Sequence, residues 1–316
     1  MKRIKLRNVF VVVVATPCLS WIERELRIKG VHFLINRRDC NSPIEFFKHC
    51  NEYLKNSNVV DSVLIHQSCG TVFPVNTANS INISTQNKDE IISKLIELIE
   101  ESPIAIDRYL PYNKFTIGIK CGGSTLSSQN TVNAKIGQIV DELQSLGFRI
   151  IFNEPQETVG LNQAVASRTN KEDYNKWLSF ISALQGDKYY INTGNISSGI
   201  SDLRQKSLGS FVKTGTKPYR IFHLDEEIVW EKPLVQILGT NQEPQSMYEM
   251  IRKGANYILF LTGNTPSFTT YVAPVVTLSN IKHNSKVDLH VDQITTDNII
   301  ACLEKETNAE KNGLFI

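Results

Sequence analysis

The sequence predicts an α/β fold of two consecutive Rossmann-like halves with mainly parallel sheets. Three observations carry that expectation. Strand-like and helix-like stretches alternate along the chain, several strands read as unbroken Val/Ile/Leu runs, and the pattern restarts after a Pro-bounded segment near residue 105. Unbroken apolar runs mark strands covered on both faces, and β–α alternation lays helices over a parallel sheet.

In order, Val9–Ala15 reads as a strand, Leu19–Ile28 as a helix, Val31–Ile35 as a strand, Pro43–Lys55 as a helix and Val59–His66 as a third strand. Ser80–Ile83 follows, then a helix over Lys88–Glu101 with Ile91, Ile92, Leu95, Leu98 and Ile99 at helical spacing. Pro103–Asn113, with two prolines, is the expected linker between an N-terminal domain 1–105 and a C-terminal domain 106–316. The second half opens with the strand Lys114–Lys120, a small-residue loop Cys121–Asn130 and the helix Thr131–Leu146. Arg149–Phe152, Val235–Leu238 and Tyr257–Leu261 read as strands, and Asn170–Leu184, Gln245–Arg252 and Thr295–Lys305 as helices. Ile191–Thr216, rich in Gly, Ser, Thr and Asn, is expected to be a long binding loop.

Composition narrows the function. Lys+Arg 34 against Asp+Glu 32 leaves a formal charge of +2, with no basic run interleaved with aromatics, so no nucleic-acid partner is expected. The basic Met1–Arg7 followed by apolar Val9–Ala15 imitates a signal peptide, but the β-branched run and Pro17 favour a buried strand. Nothing else approaches the ~18 apolar residues of a membrane helix. A soluble, cytoplasmic protein is the expectation.

The six cysteines contain no C-x-x-C pair and, in a chain this long, do not suggest a disulfide framework. Four of them, Cys18, Cys40, Cys69 and Cys121, fall just past predicted strand ends, the edge at which open α/β sheets bind ligands. Brought together as thiolates, they would suit an iron–sulfur cluster or a single soft metal ion. Against this, a free cysteine commonly packs as a small hydrophobe, the reading kept for Cys50 and Cys302.

The same edge collects polar loops. Gly122 and Gly123 let backbone N–H groups approach an anion, and Ser124 adds a hydroxyl before a helix. Glu154 and Glu157 follow a strand and could serve in acid–base chemistry, or equally favour a helix N-terminus. Asn195, Lys206, Ser207 and Lys213 could clamp an anionic substrate, and Thr262, Gly263 and Thr265 form one more candidate binding loop.

Taken in order, these loops resemble the altronate/galactarate dehydratase family, which also includes a sulfolactate sulfo-lyase. The resemblance runs through Cys121-Gly122-Gly123-Ser124 with Thr131, Asn133 and Gly137, then Glu154, Glu157 and Gly160. It continues through Gly194-Asn195, Gly199 and Lys206-Ser207-Leu208-Gly209, and ends in Phe260-Leu261-Thr262-Gly263 with Thr265-Pro266. Cys18, Cys40 and Cys69 also fall where the family carries cysteines.

The resemblance implies a lyase acting on a small anionic hydroxy acid, with iron as a [4Fe-4S] cluster or as Fe(2+). Glu154, Glu157 and Lys206 would be catalytic, and Lys213 with Lys206 would hold the carboxylate. The family's small N-terminal β-domain has no counterpart here; the resemblance leaves it either supplied by another chain or unnecessary, so a small β-domain subunit and a second copy of the chain are candidate partners.

Several family positions differ. Asn36, Gly70, Thr125, Asn162 and Asn264 stand where the family carries His, Glu, Asp, Glu and Arg. Charged groups are replaced while the cysteines persist, which implies an altered substrate or reaction. Two alternatives remain open: a sulfur-handling enzyme using an open cluster iron, and a non-catalytic partner subunit.

Overall fold

The computed structural model describes residues 2–37, 44–67, 75–77, 79–83, 87–184, 191–264, 270, 272–281 and 287–306 of the chain. A short strand, β1 (Arg3–Lys5), precedes a parallel sheet made of β2 (Val9–Val14), β3 (Val31–Ile35), β4 (Val59–His66) and β5 (Asn79–Asn82), in the order β3-β2-β4-β5. Every residue of β2 is buried. Phe10, Val12 and Val14 face α1 (Trp21–Glu25) and α3 (Lys88–Glu101), whereas Val9, Val11 and Val13 face α2 (Ile44–Leu54). A strand clothed on both sides has no reason to alternate, which is why it reads as a continuous valine run. Asn87 and Glu90 close a capping box at the start of α3.

The second half opens with β6 (Tyr109–Pro111), which pairs antiparallel with β1 and brings Ile4 and Leu6 into the core of this half. The expected linker Pro103–Asn113 therefore contains a strand whose partner lies at the other end of the first half. Next come β7 (Thr116–Gly122), α4 (Leu126–Ser128), a π-turn over Gln129–Asn133, α5 (Ala134–Ser145), β8 (Arg149–Phe152), α6 (Asn162–Ala166) and α7 (Lys171–Ala183).

The segment expected as a loop folds into α8 (Thr193–Ser197), α9 (Leu203–Phe211) and a tight turn, Val212–Thr214. Asn192 and Asp202 cap the two helices by accepting the amides of Asn195 and Gln205, so polar residues that read as loop are in fact helix starts. The chain finishes with β9 (Arg220–His223), β10 (Leu234–Leu238), α10 (Gln245–Arg252), β11 (Tyr257–Thr262), β12 (Val275–Ser279), β13 (Leu289–His290) and α11 (Thr296–Glu306). Three of these strands, β9, β12 and β13, have no counterpart among the expected strands; β13 has only two residues. The helix expected over Leu19–Ile28 is confined to α1 by the turn Pro17–Leu19 before it.

The second sheet has the order β13-β12-β11-β7-β8-β10-β9, with every described pairing parallel. From β7 the chain moves to one side through β8, then returns to the opposite side at β11. That reversal opens a crevice beyond the C-terminal ends of β7 and β11, where doubly wound sheets bind ligands.

A continuous apolar layer joins the halves. Val11, Val13, Phe47 and Tyr53 from the first pack with Ile237, Met247, Met250 and Ile258 from the second. Cys50 is buried in this layer, and Cys302 packs against the core on the far side of the second sheet. Buried amides reinforce the junction: Asn58 Nδ2 donates to Asn256 O (2.9 Å) and Val272 O (2.8 Å), and Asn56 Nδ2 donates to Ile251 O and Ala255 O (both 2.9 Å). No described helix is long and apolar enough to cross a membrane.

His32, on β3, is buried, and that burial together with the charge of Arg7 pushes its imidazole down to about 3. The folded protein thus holds His32 neutral at pH values where the unfolded chain binds a proton. The stability involved is fully present above the unfolded value near 6.5 and is lost as pH falls from there toward 3, by on the order of 1 kcal/mol per pH unit. Urea titrations across this window should show that slope, and His32→Gln should flatten it. An unchanged slope in the variant would contradict the assignment.

Candidate active site

Beyond the C-terminal ends of β7 and β8 lies a buried cluster of opposite charges. Lys120, on β7, has its side chain 1% exposed, and Glu154, two residues past β8, is equally enclosed. Lys120 Nζ donates to Glu154 Oε1, to Cys121 O (2.5 Å) and to Glu243 Oε1 (2.6 Å). Lys213, in the turn after α9, donates to Glu154 Oε2 (2.6 Å) and to Ser210 Oγ (3.1 Å). The backbone N–H of Cys121 also reaches Glu154 Oε2 (3.2 Å). Glu154 is therefore a carboxylate shared by two buried ammonium groups.

Its backbone is unusual. With φ 72° and ψ 50°, Glu154 is the one non-glycine among the described residues in the left-handed region, a conformation costing on the order of 1 kcal/mol or more. Pro155 disfavours the right-handed helical alternative for the residue before it. Asn153 holds the bend: its Oδ1 accepts Glu154 N (2.7 Å) and Gly239 N (3.2 Å), and its Nδ2 donates to the buried Glu249 Oε2 (2.7 Å).

Glu157 flanks the cluster. It accepts a hydrogen bond from Ser210 Oγ (2.6 Å) and lies 3.9 Å from both Lys213 Nζ and Lys206 Nζ. Lys206, at 16% exposure, and Glu157, at 11%, reach toward solvent, whereas Lys120, Glu154 and Lys213 do not. Burial alone would discharge these groups. It pulls the Lys120 and Lys213 ammonium groups down, but Glu154 and its acidic neighbours outweigh it and hold both above the ordinary lysine value. Burial wins at the Glu154 carboxyl, which is raised despite Lys120 and Lys213. At Glu157, burial is outweighed by Lys213, Lys206 and Lys120, and the carboxyl is lowered.

Gly122, Gly123 and Gly263 stand at close approaches between loops. A Cβ on Gly122 would lie 2.5 Å from the Phe260 ring, and one on Gly123 (φ +57°) 2.8 Å from Asn264 Nδ2. A Cβ on Gly263 would lie 2.5 Å from Thr125 Oγ1. The loops after β7 and β11 thus interlock across the crevice. Ser124 O accepts from Asn195 Nδ2 (3.3 Å) and Ser198 Oγ (3.4 Å), which ties α8 to the same loop. Ser207 is fully buried on α9. Thr262 Oγ1 is engaged within its own turn, donating to Asn264 O and accepting Asn264 N (both 3.0 Å). Thr265 lies outside the described residues.

The cysteines divide. Cys121 is buried in the site, with Sγ 3.0 Å from Ser124 Oγ and 3.7 Å from Asn133 Nδ2, an amide offered by the π-turn that also donates to Gly209 O (2.9 Å). Its thiol is pushed up by burial, against the pull of Lys213. Cys18, past β2, contacts Gln67 Oε1 (3.0 Å) and Thr16 Oγ1 (3.3 Å). Cys40 and Cys69 lie outside the described residues. Among the described residues, no group of three or more His, Cys, Asp or Glu is arranged to hold a metal ion. These residues supply one buried thiol to the site, so an iron ligand set would have to draw on Cys40 and Cys69.

Two members of the cluster carry no expectation from sequence. Lys120 could have been noticed as the lone charge within Thr116–Gly122, a strand buried throughout. Glu243, from the loop before α10, has no local signal.

The profile of the D-galactarate/altronate dehydratase family, C-terminal part, matches residues 112–312, more than half of the chain. The chain is 28% identical over 182 residues to the altronate dehydratase of Bacillus subtilis (strain 168), covering 54% of this chain and 36% of that protein. It is 22% identical over 195 residues to the galactarate dehydratase (L-threo-forming) of Escherichia coli (strain K12), covering 54% and 34%. It is 22% identical over 211 residues to the (2R)-sulfolactate sulfo-lyase subunit beta of Chromohalobacter salexigens, covering 62% and 53%. The matches thus span from about a third to about half the length of these curated relatives.

Replacing Glu154 by Gln removes the counter-ion that Lys120 and Lys213 share. Breaking a buried pair in this way costs about 3–5 kcal/mol, to be read from urea denaturation. Adding Lys213→Met should restore part of that loss, because the two changes act on one interaction. A loss below about 1 kcal/mol, or strict additivity, would show that the cluster does not hold the fold as described.

Proposed function

Because the chain belongs to the D-galactarate/altronate dehydratase family through its match over residues 112–312, we propose that it is a lyase acting on a small anionic hydroxy acid. The observation that carries this reading is the buried Lys120–Glu154–Lys213 cluster beside the Gly122–Gly123 loop, at the topological switch of the parallel sheet.

Elimination from a 2,3-dihydroxy acid breaks the C–H bond α to the carboxylate and the C–O bond at the β carbon. Water leaves, and the resulting enol becomes a 2-oxo acid. Negative charge builds on the carboxylate as the α proton departs, so fixed ammonium groups in a site shielded from solvent stabilise that stage most. Lys213 and Lys120 would provide them. The backbone at Gly122 and Gly123, the hydroxyls of Ser124, Ser207 and Thr262, the amide of Asn195 and the loop at Gly263 and Thr265 would orient the substrate.

Proton transfer falls to the carboxylates. The raised Glu154 carboxyl is suited to take a proton, and the Glu157–Lys206 pair, nearer solvent, would relay it. Iron, as a cluster or as Fe(2+), held by Cys121 with Cys18, Cys40 and Cys69, would supply Lewis acidity toward the departing oxygen. The cytoplasm is the proposed setting, and a partner subunit is proposed for the assembly. A changed substrate is favoured by the crevice wall, where neutral Thr125 and Asn264 meet Gly263 and Gly123 at positions the family fills with charge.

Protein prepared without oxygen should contain iron and should convert a hydroxy acid from a panel including altronate, galactarate and sulfolactate, with 2-oxo acid followed as its semicarbazone. Glu157→Gln and Lys206→Met should each lower kcat by about 10²-fold or more. Absence of turnover across the panel, in iron-loaded and folded protein, would defeat the lyase reading. Release of sulfite in place of water, alongside the 2-oxo acid, would redirect it to carbon–sulfur cleavage.

A further inference from the structure

The three hydrogens of the Lys120 ammonium are taken by partners of two kinds. Cys121 O and Glu154 belong to the buried frame, whereas Glu243 comes from the loop between β10 and α10 and is one-quarter exposed, the most open member of the cluster. Its Oε1 lies 3.0 Å from where a Cβ of Gly122 would stand. The carboxylate therefore rests against bare glycine backbone, with an ammonium at the head of the slot and the Phe260 ring beside it.

Charge makes the slot specific. Lys120, Lys206 and Lys213 balance Glu154, Glu157 and Glu243. Withdrawing Glu243 leaves one positive charge in excess, beside an ammonium with one unfilled hydrogen-bond direction. A ligand carboxylate restores both. Exchange of one carboxylate for another avoids stranding a buried charge, the costly outcome in such clusters.

We infer that Lys120 is the anchor for the substrate carboxylate and that Glu243 is an internal carboxylate competing for the same place; this rests on the proposed reading that the site accepts a hydroxy acid. Glu243 then acts as a specificity gate. It keeps Lys120 neutralised, and it admits only ligands whose own carboxylate can take over the contact.

Formate, the smallest carboxylate, is the probe. Calorimetric titration of the full chain should show formate binding at least about tenfold more tightly to Glu243→Ala than to the wild type, and a crystal of the variant should place it at hydrogen-bond distance, about 3 Å, from Lys120 Nζ. Glu243→Gln, which keeps the shape and loses the charge, should lower KM for any hydroxy acid the wild type turns over, with kcat retained. Unchanged or weaker formate binding in folded variants would overturn the inference. So would a collapse of kcat in Glu243→Gln at constant KM, which would make Glu243 part of the chemistry. If the wild type turned over no hydroxy acid while Glu243→Ala gained formate affinity at Lys120, the lyase reading would fail and the anion slot would stand.

Discussion

The organising constraint in this protein is that two lysine ammonium groups deep in the second half must share one carboxylate. Lys120 and Lys213 are each within 2% of complete burial, and Glu154 lies between them. An isolated charge in such surroundings would shed or gain a proton. The cluster avoids this by arranging each positive group beside at least one negative one and by filling the remaining hydrogen-bond directions with backbone and Ser210. That arrangement produces a preorganised field at a fixed place on the sheet edge, which is the form of electrostatics useful for catalysis.

The sheet provides the place, and local departures from ideal geometry provide the aim. Parallel strands β7 and β8 deliver Lys120, Cys121 and Glu154 to one edge because their C-terminal ends are neighbours. Three irregularities then direct the side chains. The left-handed Glu154 turns its carboxylate back over β7, the π-turn offers Asn133 to Cys121, and the glycines at 122, 123 and 263 let two loops interlock. Strain of this kind and π-turns concentrate at functional sites, where neighbouring contacts sustain them. Here Asn153 is the sustaining contact for Glu154, and Glu249 in turn holds Asn153.

Much of the fold was legible in the sequence, and the reasons are visible in particular residues. The Val9–Val14 run announced a strand covered on both faces, and Lys88–Glu101 announced its helix through apolar spacing. The second sheet's edges were not legible, because strands as short as Arg220–His223 and Leu289–His290 carry too few residues for a period. Nor were α8 and α9: the Gly, Ser, Thr and Asn content suggested a loop, whereas Asn192 and Asp202 cap the two helices. Within the site, Glu154, Glu157 and Lys213 could be read because each stands just past a recognisable element or motif. Lys120 was hidden inside a strand, and Glu243 depends on a contact spanning 123 residues of sequence, which no local pattern encodes.

The same electrostatics separates the buried frame of the site from its wall. A member of the buried triad cannot be altered alone, since its partners would be left as uncompensated charges. Groups on the crevice wall face no such penalty. Asn264 is exposed and Thr125 half-buried, where Thr125 caps a helix through Ser128 N (3.0 Å). Substitution there alters what the crevice presents to a ligand while leaving the Lys120–Glu154–Lys213 frame intact. A site built in this way can change what its wall presents while the buried field is retained. Glu243 belongs physically to the wall and electrostatically to the frame, because it is partly exposed yet bonded to Lys120. That dual position makes it the point at which ligand choice and the buried charges are coupled.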